Sequence, residues 1–72
     1  MSNSKNHKRF CEKDGWELYK QTDHYFYRKL KEDGTYKFTK VSMGTIHYSK
    51  GMWRRILKQQ LECDQEYFNK IK

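Results

Sequence analysis

Asp33-Gly34 is the strongest turn signal in the chain. It stands between two runs rich in strand-forming residues, "HYFYRKL" (His24 to Leu30) and "YKFTKV" (Tyr36 to Val41). An Asp-Gly pair between such runs predicts a tight β-hairpin, because glycine accepts the positive φ that the turn needs. Upstream, "WELYKQ" (Trp16 to Gln21) alternates Trp16 and Leu18 against Glu17 and Tyr19. That period of two predicts a further strand, joined to His24 by a short turn at Thr22-Asp23. Three consecutive strands with short connections make an antiparallel meander.

A three-stranded sheet needs one face covered, and the rest of the sequence supplies helices for it. Ser4 is a candidate N-cap for a helix from about Lys5 to Asp14, with Phe10 and Cys11 as its apolar positions, His7 on the same side and Gly15 as its stop. "SMGTIHYSKG", Ser42 to Gly51, reads as a loop. After it, Trp53, Ile56, Leu57 and Leu61 recur at helical spacing, with Arg54, Arg55 and Lys58 on the opposite face. Asp64 is a candidate cap for a last short helix, with Tyr67, Phe68 and Ile71 on its apolar side. The expected fold is therefore α+β: helix, three-stranded antiparallel sheet, helix, short C-terminal helix, in the order of a double-stranded-RNA-binding-type domain. Residues 1–72 are expected to form one domain. A chain of 72 residues buries only about 60% of its unfolded surface, and large aromatic side chains compensate for a thin core.

The charge narrows the function. Sixteen Lys and Arg against nine Asp and Glu give a formal net charge of +7, spread along the chain from Lys5 to Lys72. An excess of this size on a small domain points to a polyanionic partner, a nucleic acid or an acidic protein. No apolar segment suits a signal peptide or a membrane span, and two cysteines, Cys11 and Cys63, are too few for a disulfide framework. A cytoplasmic protein with reduced thiols is expected. His7 and Cys11 lie at i, i+4 spacing, but Cys63, His24 and His47 follow no metal-ligand spacing; the plainer reading is a half-buried thiol beside a surface histidine, with no metal. No glycine-rich phosphate loop is present, and no cofactor is expected.

Two sets of residues are candidates for chemistry. Lys50, Arg54, Arg55 and Lys58 form a basic helical face suited to phosphate oxygens, although the exposed faces of small helices are often charged without any ligand. In the second strand, His24, Phe26 and Arg28 share one face, and Tyr25, Tyr27 and Lys29 the other. With the tyrosines in the core, His24 lies on the open face as a candidate general base for RNA cleavage through the ribose 2′-hydroxyl, with an aromatic ring for a base and Arg28 for phosphate. Lys40 is a further candidate contact. From spacing alone, a lone histidine in a strand is more often a residue without chemistry.

The stretches "FCEKDGWELYKQTDHYFYRK" and "KGMWRRILKQQLECDQEYF" resemble the HicA family of small bacterial mRNA interferase toxins, over about residues 8 to 71. Gly15-Trp16 and "KGMWRRILKQ" are the most specific parts. The resemblance implies a double-stranded-RNA-binding-type fold, metal-independent cleavage of mRNA and neutralisation by a HicB-like antitoxin. It places His24 at the catalytic first histidine of a Gly-Ser-His-His segment. This sequence departs from that pattern: Thr22-Asp23 stands for Gly-Ser, Tyr25 for the second histidine, and Met43 near a position where many members carry a histidine before a glycine, here Gly44. Thr22 carries a Cβ where glycine would admit a substrate backbone, and Asp23 adds a charge that repels phosphate. A catalytically silent RNA- or protein-binding module of the same fold is the alternative expectation.

Overall fold

A computed structural model describes residues 2–72. Helix α1 (Ser4–Lys13) is followed by strands β1 (Glu17–Gln21), β2 (His24–Leu30) and β3 (Tyr36–Ser42). Helix α2 (Lys50–Arg55) runs on into π-helical turns (Ile56–Leu61), and α3 (Gln65–Ile71) closes the chain. The strands form one antiparallel sheet in the order β1-β2-β3. This is the α+β layout, α-β-β-β-α-α, that the patterning predicts. The Asp33-Gly34 turn is present: Gly34 takes φ 89°, and Asp33 accepts the Thr35 backbone N–H at 3.0 Å. No helix among the described residues is long and apolar enough to cross a membrane.

The helices cover one sheet face. Phe10 and Cys11 from α1, Tyr27 and Val41 from the sheet, Trp53, Ile56, Leu57 and Leu61 from the α2 segment, and Phe68 from α3 are all buried together. The apolar spacing after Gly51 thus selects the packed side, even though the backbone widens to π geometry from Ile56 onward. Lys37 of β3 donates to the Leu61 carbonyl at 2.8 Å, giving the end of that segment a partner.

Three expectations are corrected. The N-cap of α1 is Asn3, whose side chain accepts the Asn6 N–H. Ser4 is buried and bonds the β3–α2 loop instead, donating to the Gly44 carbonyl at 2.7 Å and accepting the Ile46 N–H at 2.9 Å. The Cys11 thiol is fully buried rather than half-buried, and burial pushes its pKa up. His7 is not on the surface either. It has no exposed area and bonds at both ring nitrogens, to Tyr48 Oη at 2.8 Å through Nδ1 and to Thr39 Oγ1 at 2.9 Å through Nε2. Thr39 donates its single hydroxyl proton to Gln60 Oε1 at 2.7 Å. Nε2 therefore carries the imidazole proton and Nδ1 accepts from Tyr48, which makes His7 a neutral link in a buried polar chain.

Burial lowers the His7 pKa from 6.5 to about 4. The folded state thus binds this proton less readily than the unfolded chain. The stability due to neutral His7 is complete above about pH 6.5 and is lost as pH falls through about 4. Across that window the loss amounts to ~3 kcal/mol. Urea denaturation midpoints at pH 7 and pH 4 should show it, and a folded His7→Gln variant should lose less over the same interval. An equal loss in both proteins would place the acid sensitivity elsewhere.

A second polar centre ties the far end of α1 to the sheet and to α3. Asp14, just after the helix, takes Lys29 at 3.0 Å, Trp16 Nε1 at 3.0 Å and Tyr67 Oη. Burial pushes its carboxyl up, but the hydrogen bonds from Tyr67, Lys29 and Trp16 outweigh this and hold it below the usual carboxylate range.

Candidate active site

The sheet face away from the helices is where the candidate chemistry lies. On β2 it presents His24, Phe26 and Arg28, which alternate with core-facing Tyr25 and Tyr27. Cross-strand register then fixes the neighbours. His24 lies opposite Ser42, Phe26 is flanked by Lys20 of β1 and Lys40 of β3, and Arg28 is flanked by Glu17 and Phe38. Lys40 is thereby a diagonal neighbour of His24, within reach of a long side chain.

A β-bulge shapes this face. The β1–β2 register shifts between Leu18 and Lys20, leaving Tyr19 unpaired. The extra residue puts Tyr19 and Lys20 on the same side of the sheet, contrary to simple alternation. The Tyr19 ring packs against Phe26 and Phe38, with centroids 6.4 and 5.9 Å away. The Lys20 ammonium stands 5.2 Å from the Phe26 centroid.

His24 opens β2 directly after the Thr22-Asp23 turn. Its Nδ1 is 3.3 Å from Asp23 Oδ1, and the same carboxylate oxygen accepts the Thr22 hydroxyl at 2.9 Å. The Thr22 hydroxyl first, then His24, hold the Asp23 carboxyl below its ordinary range. A carboxylate near Nδ1 favours the ring tautomer protonated at that nitrogen, with Nε2 then the acceptor, which is the arrangement a general base requires. Asp23 thus has a geometric role beside the repulsion expected from its charge. Thr22 adopts no positive φ, so the backbone of this turn does not require a glycine there. The His24 ring is also 6.2 Å from that of Phe26.

The basic helix residues lie elsewhere. Lys50, Arg54, Arg55 and Lys58 are exposed on a segment whose other side packs on the covered face of the sheet. They are on the opposite side of the sheet from His24, and none pairs with a carboxylate among the described residues. Arg28 and Lys40 share the His24 face, and Arg28 is bound to Glu17 at 2.8 Å. A separate cleft of about 370 Å³, lined by Lys5, Lys8, Arg9, Tyr25 and the Met43-Gly44 loop, lies on the α1 side.

Sequence reasoning overlooked Lys20, Asp23 as an orienting group, and the rings of Tyr19, Tyr36 and Phe38. Tyr36 and Phe38 were accessible through the alternation of β3. Lys20 was hidden by the bulge.

No family model matches the chain, and neither does any curated protein or solved structure. The resemblance to the HicA family read from the sequence motifs therefore has no support from these comparisons.

Proposed function

We propose that the chain is a metal-independent endoribonuclease toxin of a type II toxin–antitoxin pair, acting on mRNA in the cytoplasm and silenced by a HicB-like protein that covers His24. The observation that carries this reading is the imidazole of His24, with Asp23 at Nδ1, standing on a cation-bearing open face. In the proposed step, His24 Nε2 takes the proton of a ribose 2′-hydroxyl. The 2′-oxygen attacks the adjacent phosphorus, the bond to the 5′-oxygen breaks, and that oxygen takes a proton from water. The products are a 2′,3′-cyclic phosphate and a 5′-hydroxyl end. Lys20 and Lys40, on either side of Phe26 and next to His24, suit the charge that gathers on the phosphate oxygens.

Purified protein incubated with unstructured RNA in the presence of a chelator should produce fragments with those two ends. RNA that stays intact while bound would favour the second reading, a module that binds without cutting. The exposed rings around Phe26 suit that reading equally well.

A further inference from the structure

Tyr19, Phe38 and Tyr36 have no part in the proton transfer assigned to His24, yet they leave 40%, 51% and 42% of their area in water. Phe10, Trp53 and Phe68, by contrast, are packed into the core. Tyr19, Phe38 and Tyr36 form one strip on the open face. Phe38 is at its centre, 5.9 Å from the Tyr19 ring and 6.2 Å from the Tyr36 ring. A shallow depression of about 270 Å³ at β3 is lined by Tyr19, Phe26, Phe38 and Lys40, together with Thr39 and Gln60.

The charges on this face select the occupant. Lys20 and Lys40 flank Phe26, and neither is paired with a carboxylate among the described residues. The Arg28 guanidinium lies 5.3 and 4.7 Å from the Tyr19 and Tyr36 centroids. Glu17, the carboxylate in this part of the ladder, is already bound to Arg28. Exposed rings interleaved with free cations suit a polyanion whose repeating units have flat π faces. A single strand of nucleic acid has both, whereas the bases of a duplex are already stacked on one another. An acidic protein would satisfy the cations but leave the rings against polar side chains.

We propose that the open sheet face is a stacking platform for single-stranded RNA. Bases lie on Phe38 and its two neighbouring tyrosines, and the backbone runs past Lys20 and Lys40 so that the next ribose reaches His24. This takes RNA as the substrate and so rests on the function proposed above.

The platform can be tested apart from cleavage with a fluorescent single-stranded DNA eight-mer, which lacks the 2′-hydroxyl. The full chain should bind it and bind a blunt RNA duplex much more weakly. Phe38→Ala should weaken binding of the eight-mer by about 5- to 150-fold, the fold-change that corresponds to losing one stacked base. Phe38→Tyr should restore it, with thermal melting unchanged in both because the ring is exposed. Tyr36→Ala is a second variant in case Phe38→Ala does not fold. Weakened DNA binding without any RNA cleavage by the parent chain would sustain the platform and sink the nuclease. Cleavage together with equal affinity in Phe38→Ala and Tyr36→Ala would sink the platform and leave the nuclease. Loss of self-association or of binding to an acidic protein, with DNA affinity intact, would overturn the platform in favour of a protein occupant.

Discussion

RNA cleavage by the His24→Ala variant is expected to fall by about 10²- to 10⁴-fold, the usual contribution of a positioned general base. The fold should survive. His24 is partly exposed, at the first residue of β2, and it lies against Asp23 and, at a tilt, the ring of Phe26. Initial rates on an unstructured RNA, with circular dichroism as a folding control, are the measurement. Undiminished cleavage by a folded variant would remove His24 from the mechanism and turn attention to the cleft beside Tyr25.

The second large effect is on stability. Trp53 is stacked on Tyr48 with centroids 5.6 Å apart and an interplanar angle of 11°. It meets Phe68 edge-on at 4.6 Å and donates its indole N–H to Gln65 Oε1 at 2.6 Å. One side chain therefore joins α2, α3 and the loop before α2. Truncating a buried tryptophan to alanine costs about 3–5 kcal/mol. A domain of this length has roughly 4–11 kcal/mol of stability in total. Trp53→Ala should lose most of its cooperative unfolding transition in urea at room temperature. A sharp transition at the parent midpoint would mean that the rings of Tyr48 and Phe68 close over the gap, and that Trp53 is not the anchor of the C-terminal half.

The elements were legible because each has a local signal. Alternation in β2 and β3, the Asp33-Gly34 turn and the 53-56-57-61 stripe each rest on a backbone period that a core facing one side enforces. What was missed depends on interactions that leave no such period. Asn3 and Ser4 are both good caps, and only the demand of the Gly44–Ile46 loop for a buried hydroxyl decides which of them caps α1. The bulge at Tyr19 has no glycine to mark it, so the alternation of Trp16 and Leu18 against Glu17 and Tyr19 gives no sign that Lys20 faces the open side. His7 and Cys11 share a helix face at i, i+4, which resembles a metal pair. The partners of His7 are 32 and 41 residues away and invisible to spacing. Of the candidate site, the side of the sheet bearing His24 was readable from β2 alone. The part Asp23 plays was not, since sequence conveys its charge but not the 3.3 Å approach to Nδ1.

The buried chain from Tyr48 through His7 and Thr39 to Gln60 has a consequence for how sequences of this kind can diverge. Each member uses its neighbour's donor or acceptor, so replacing one alone strands a buried polar group at about 1–3 kcal/mol. Drift at any of the four positions is then permitted only with compensating change at another, or by conversion of the whole set to apolar residues. The four residues lie on α1, on β3, just ahead of α2 and in the π-helical turns, and they should be inherited as a block. Their spacing forms a fingerprint independent of the residues around His24. A relative that had lost His24 but kept the four would be recognisable as the same architecture put to a different use.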